Sequence, residues 1–283
     1  MIKRIALTLV MIVLTALFVV SCGGGKEGGG NENSTAASSG GGDNKPAYKS
    51  AGDEGTLTGK IVFTGTAPAP KKIDMGQDPV CASAAGDKNT EDVVVADGKL
   101  ANVFVYVKSG GAVDKYSFDT PSSAVDLDQK GCRYHPHVLG VQTKQTVKIT
   151  NSDATTHNIH PSPSKNQEWN QSQPSGSAPL EKSFARPETL IPVKCNQHPW
   201  MKCYIGVLPH PFYAVSSEKD GTYTIKGLPP GDYTVVAWHE KYGEQTQKVT
   251  VPAKGSVTQD FTFNATAAYN KTSLSVQPAL TLP

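Results

Sequence analysis

Turn residues recur every 8–12 positions from Gly55 onward, and they leave no room for a long helix. Beyond the N-terminus, no window of 12 or more residues carries a 3.6-residue apolar period. What lies between the turns is short, alternating and rich in β-branched and aromatic residues, which is strand chemistry. Thr56–Thr64, Ala101–Lys108, Val125–Leu127, Val138–Val141, Thr146–Thr150 and Tyr204–Leu208 read as strands. Downstream of Pro211 the runs become regular: Phe212–Val215, Thr222–Ile225, Tyr233–Trp238, Thr246–Val251 and Val257–Phe263. The chain is expected to be all-β.

Between the last five strands lie Lys219-Asp220-Gly221, Gly227-Leu228-Pro229-Pro230-Gly231 and Lys254-Gly255, each with its own turn chemistry. The stretch from Asp220 to Val235 resembles the carboxypeptidase-regulatory (transthyretin-like) β-sandwich. That resemblance implies seven strands, and five are present after Pro211. Residues 56–64 and 101–108 resemble the two that are missing. The expected layout is therefore a sandwich made of 55–121 plus 211–264, with residues 122–210 inserted as a second domain. A tandem order, in which the second domain simply precedes the sandwich, is the competing layout. Insertion succeeds where chain ends lie close together at loop tips.

Within the intervening segment, Cys195, His198 and Met201 stand in a Cys-x-x-His-x-x-Met spacing. A thiolate, an imidazole and a thioether are soft to borderline donors, suited to copper that must be stable in two oxidation states. A trigonal site with a long axial thioether needs a second imidazole. His157, 38 residues upstream of Cys195, is its obvious source. Two chain segments clamping one ion make a rigid site.

Residues 125–208 resemble the cupredoxins, the single-domain blue-copper electron carriers. The resemblance runs through Tyr134-His135-Pro136, Val147–Asp153, His157-Asn158 and the Cys195–Met201 loop, and the loop is closest to the short-loop, amicyanin-like members. It implies an eight-stranded Greek-key sandwich with one type 1 copper at a pole, held by His157, Cys195, His198 and Met201. Asn158, which the resemblance implies ties the two ligand loops together, and Asp153 are expected behind those ligands. Pro199 would stiffen the loop and Trp200 shield the ion.

The first 22 residues form an export signal. Lys3 and Arg4 precede the apolar run Ile5–Val20, whose 16 residues are short for a membrane span. Val19-Val20-Ser21-Cys22 resembles the lipobox of bacterial lipoproteins, which implies cleavage before Cys22 and acylation of its sulfur. Residues 23–54 are Gly, Ser, Asn and other small polar residues and read as a flexible tether; 265–283 read as a tail. The expected location is outside the cytoplasm, on a membrane, held by the lipid alone.

Of five cysteines, Cys22 goes to lipid and Cys195 to the metal, leaving Cys81, Cys132 and Cys203 in an oxidising compartment. Proteins resembling this one carry cysteines matching Cys81 and Cys132, which implies that pair. The cupredoxin topology offers Cys132 with Cys203 as the rival. His135 and His137, two apart on an extended segment, would share a face and form a candidate second metal site. His160 is an alternative ligand to His157. His210 and His239 read as surface or packed histidines.

Net charge is +2 with 18% charged residues, which makes no electrostatic case for nucleic acid. No Cys-x-x-Cys-His, His-Glu-x-x-His or Gly-x-Ser-x-Gly occurs. The expectation is a non-enzymatic carrier of single electrons between redox proteins of the cell envelope. Copper handling as chaperone, sensor or store is the alternative, distinguished by labile Cu(I) binding. Glycan binding through Tyr223, Tyr233, Trp238 and Tyr242 is a third reading.

Overall fold

The computed structural model describes residues 45–266 apart from 85 and 87. The expected export signal, the expected lipidation site Cys22, most of the expected tether and the tail beyond 266 lie outside the described residues. Four sheets stack into two sandwiches that share a seam. No described helix is long and apolar enough to cross a membrane.

The first sandwich is built on the strand Gly55–Thr64, whose inward positions Leu57, Ile61 and Phe63 alternate with exposed or half-buried ones. This strand pairs antiparallel with Thr222–Leu228 and Lys99–Leu100, and parallel with Ser256–Thr258 and Phe261–Asn264. The facing sheet runs Tyr213–Val215, Phe104–Gly110, Gly231–His239, Gly243–Val251. Between them sits a core of Val105, Val107, Tyr223, Val235, Ala237, Phe261 and Phe263 around the first strand. Strands from both ends of the chain thus share two sheets. Counting the short pair Val95–Ala96 and Lys99–Leu100, the sandwich has ten strands where seven were expected. Part of the excess arises because Gln259 and Asp260 interrupt the last expected strand, where the Asp260 carboxylate accepts from Lys60 N–H.

The chain leaves this sandwich after the helix Gly111–Lys115 and returns to it at Tyr213. In between, one sheet runs Gln171–Gln173, His157–Pro161, Glu188–Lys194, Lys202–Leu208, Val138–Gln142. The other runs Leu180–Lys182, Val147–Asn151, Val125–Gln129, Tyr134–His135. Lys202–Leu208 lies parallel to Val138–Gln142, and Val125–Gln129 parallel to Val147–Asn151. Leu127, Tyr134, Val141, Ile149, Ile159, Ile191 and Val207 fill the space between the sheets. These are nine strands rather than eight. His157, expected on a loop, is instead the first residue of the strand His157–Pro161.

The two sandwiches meet through faces that each sheet would otherwise expose. Phe104, Tyr106 and Val236 from one pack against Val138, Leu190 and Leu208 of the other. Gly140 and Gly206 stand opposite each other in their parallel pair and make the flat spot that receives the aromatics. A Cβ on Gly140 would come 2.3 Å from the Tyr213 ring, and one on Gly206 2.5 Å from the Phe104 ring. One end of the seam is polar. Glu240 accepts from Tyr204 Oη at 3.1 Å and from Lys202 Nζ at 2.9 Å, and bonds His137 Nε2 at 2.6 Å.

Two stretches depart from the expected organisation. Residues 45–54 read as the end of a tether, but they lie against the first sandwich. Tyr48 N–H donates to Ser117 O, and its ring packs on Tyr116 and Phe118. Tyr48, lost among polar neighbours in the sequence, provides the apolar surface. The excursion after Thr64 reaches over to the second sandwich, where Met75 and Cys81 join its core.

Candidate metal centre

The clamp begins with two strand ends. The strand Glu188–Lys194 delivers Cys195, and the strand Lys202–Leu208 starts just after Met201. The loop between them is tight because Met201 O accepts from Cys195 N–H at 3.2 Å while Met201 N–H donates to His198 O at 2.9 Å. Pro199 contributes no donor and stiffens the turn. From the neighbouring strand comes His157, fully buried.

His157, Cys195 and His198 converge with one donor atom each, all within 4.8 Å of one another. The two Nδ1 atoms are 2.9 Å apart, and Cys195 Sγ is 3.7 Å from His198 Nδ1. Met201, 1% exposed, belongs to the same buried cluster as Cys195. Two imidazoles and a thiol at this spacing fit a single soft or borderline metal ion, and Met201 is buried at the end of the loop that carries Cys195 and His198.

Both histidines are aimed by carboxylates on their outer nitrogens. His157 Nε2 bonds Asp153 Oδ2 at 2.9 Å, and His198 Nε2 bonds Asp78 Oδ2 at 3.1 Å. This leaves each Nδ1 facing the ion's place, the arrangement that fixes tautomer and raises ligand basicity. Asp153 is itself cradled by the backbone amides of Gly131 and Cys132, at 2.7 and 2.8 Å. Those two residues have left-handed backbone angles, φ 62° and 56°, so their N–H groups point the same way.

Asn158 ties the segments together. Its Oδ1 accepts from Asn196 N–H at 2.7 Å and from Cys195 Sγ at 3.4 Å, and its Nδ2 donates to Asn170 Oδ1. Trp200 lies over the His198 ring, centroids 5.1 Å apart, with its Nε1–H held by Cys132 O.

Electrostatics follow from this geometry. Burial opposes charge on His157, but the Asp153 hydrogen bond and Cys195 outweigh it and raise it to about 9. Burial likewise opposes the Cys195 thiolate, yet His157 and neighbouring amides bring the thiol below its ordinary value. His198 is lowered by burial first and then by the His157 charge. With each Nε2 on a carboxylate and the two Nδ1 atoms 2.9 Å apart, only one Nδ1 can donate to the other.

The remaining candidates separate from the site. Cys81 and Cys132 form a disulfide with Cα atoms 5.5 Å apart, and Cys203 is a buried free thiol. His135 and His137 do not share a face. Tyr134–His135 and Val138–Gln142 belong to different sheets, with Pro136 turning the chain between them. His135 is exposed beside Lys130 O, whereas His137 is buried against Glu240. His160 turns away from the donors to Glu168 and to Asn196 Oδ1. His210 and His239 are core residues that accept from Phe212 N–H and Lys241 N–H. Tyr223, Tyr233 and Tyr242 are buried, and Trp238 packs on Tyr204 at 5.1 Å. The residue that sequence reasoning missed is Asp78. Asp78-Pro79 is a helix-start signature, and Asp78 does cap the helix Pro79–Ser83. Nothing local signals that its second oxygen reaches a histidine 120 positions away.

Residues 211–264 match the family model of the carboxypeptidase regulatory-like domain. No curated protein matches the chain in sequence. Solved structures similar to it include a nitrite reductase, a purple cupredoxin and amicyanins. One is the copper-containing nitrite reductase NirK from Thermus scotoductus SA-01, at 17% identity and TM-score 0.28, covering 52% of this chain; the chain spans only 28% of that protein. A second is a purple cupredoxin from Nitrosopumilus maritimus, at 21% identity and TM-score 0.26, covering 29% of this chain and 98% of that one. A third is a reduced amicyanin variant, at 19% identity and TM-score 0.27, covering 36% and 97%. At these scores the site's reading stands on its own donor geometry.

Proposed function

We propose that this chain is a type 1 copper protein that carries single electrons between redox proteins of the cell envelope. In this reading residues 122–210 are a cupredoxin domain inserted into the regulatory-like sandwich 55–121 plus 211–264. The observation that carries the proposal is the convergence of His157, Cys195 and His198 on one point, with Met201 closing the same loop. Bound there, copper would supply one-electron chemistry. His157 and His198 would hold it through Nδ1, and Cys195 would hold it as thiolate. Met201 would be the weakest of the donors and would tune the potential. Asp153, Asn158 and the tight loop keep the donors in place whatever the ion's charge. A site that need not rearrange exchanges electrons with little reorganisation.

Export and lipid attachment through Cys22 complete the reading, which includes no catalytic role. The test is an absorption and EPR spectrum of the copper-loaded full-length protein. An intense visible thiolate-to-copper band, lost in Cys195→Ala while the fold is kept, is expected. A colourless cupric protein would refute the reading. Tight, labile Cu(I) binding with sluggish electron self-exchange would move it to copper handling.

A further inference from the structure

We propose that Asp78 is a positioning residue of the metal centre, contributed by the excursion that leaves the first sandwich after Thr64. It rests on the copper reading above. Residue 78 lies outside the segment that supplies the donors, yet its carboxylate does for His198 what Asp153 does for His157. Oδ2 bonds His198 Nε2 at 3.1 Å and is itself fixed by Thr155 Oγ1 at 2.7 Å, two residues from His157. Oδ1 accepts from Val80 N–H at 2.8 Å and Cys81 N–H at 3.3 Å.

The two oxygens therefore have separate tasks. One caps the helix Pro79–Ser83, and the other orients a ligand. The Cys81–Cys132 disulfide welds this arrangement to the opposite one. Cys81 N–H holds Asp78, Cys132 N–H holds Asp153, and the two sulfurs are bonded. Both disulfide cysteines are fully buried, and Cys81 Sγ lies 3.8 Å from His198 Nε2. A single covalent link thus joins the supports of both imidazoles. The excursion also covers the outer edge of His198, leaving that residue 3% exposed.

This division of tasks makes Asp78→Asn a clean test. Asparagine is as good a helix cap as aspartate, so Oδ1 keeps its two amide bonds. Its Nδ2 donates and cannot accept from His198 Nε2–H. Comparison is made in the purified full-length protein among wild type, Asp78→Asn and Asp78→Ala, with copper as the probe. Losing such a support costs 10–100-fold in metal affinity. Removing a negative charge weakens Cu(II) binding more than Cu(I) binding. Each tenfold difference between the two raises the reduction potential by about 59 mV. A raised potential and weakened Cu(II) binding, of similar size in both variants, are expected. Only Asp78→Ala should also lower thermal stability through the cap.

An unchanged potential in Asp78→Asn, with a change confined to Asp78→Ala, would mean the residue acts through the cap alone, and the proposal would be overturned. A second readout needs no metal. Proton–nitrogen NMR of the metal-free wild type should show His198 protonated at Nε2 and free at Nδ1, a preference lost in Asp78→Asn. Should wild type bind no copper, the copper reading falls by itself, and the ring-nitrogen spectrum still decides whether Asp78 orients His198.

Discussion

Asn158 illustrates how much one side chain can hold at the residue scale. Its single carbonyl oxygen serves both the Asn196 amide and the Cys195 thiol, so the loop carrying one donor is tied to the strand carrying another. Replacing it with Leu removes the acceptor of the part-buried Asn196 N–H, and about 0.5–1.5 kcal/mol of stability should go. Denaturant midpoints of the metal-free protein measure this. Equal midpoints for variant and wild type would remove Asn158 from the clamp. His157 carries a second expectation. With its imidazole raised to about 9, it holds a proton at Nδ1 near neutral pH. An ion taking that nitrogen must displace the proton, so copper uptake should release it and weaken as pH falls. Titration calorimetry in buffers of different ionisation enthalpy reads the proton count. Heats independent of buffer would contradict the imidazolium assignment.

Among elements, the seam is where packing is least forgiving. The paired strands Val138–Gln142 and Lys202–Leu208 present Gly140 and Gly206 to Tyr213 and Phe104, and those rings stack with centroids 5.6 Å apart. Gly206→Ala places a methyl group inside contact distance of the Phe104 ring, which can move only by displacing Tyr106 or Tyr213 beside it. Overpacking of this kind costs about 1–3 kcal/mol. Because Lys202–Leu208 begins at the end of the metal loop, a seam that opens should also disturb the visible spectrum. An alanine variant as stable as wild type would show that the sandwiches are not pressed together there. His135 and His137 part company where the chain enters Val138–Gln142. Alternation puts i and i+2 on one face only while the chain stays in one sheet, and here it changes sheets at Pro136.

For the whole molecule, acid is the lever that the buried histidines supply. His210 and His239 are each lowered to about 4, by burial first, and each sits in an aromatic surrounding of the first sandwich. A base depressed when folded binds its proton more readily when unfolded. Stability is therefore full above the ordinary histidine range near 6.5 and falls as pH drops toward 4. The loss by pH 5 is about 2 kcal/mol for each. Urea midpoints at pH 7 and pH 5 should differ accordingly, and a His210→Gln, His239→Gln double variant should flatten the difference. An equally steep fall in the double variant would place the acid sensitivity elsewhere.

The strand-and-turn rhythm that makes this chain all-β is local information, carried by side-chain alternation and by residues such as Asp220-Gly221 and Pro230-Gly231. The donor types are local too, because Cys195, His198 and Met201 are neighbours in sequence and their softness is intrinsic. What no local pattern contains is which distant group meets an outer ring nitrogen, or which cysteines meet. Asp78 looks like a helix cap and is one. It also reaches His198 because the excursion from the first sandwich folds across the pole and is bonded there through Cys81 and Cys132. Likewise, Tyr48 becomes packed surface and His137 a seam residue only once four sheets have stacked. Local stereochemistry chose the elements and the donors, while long-range burial decided which neighbours hold them in place.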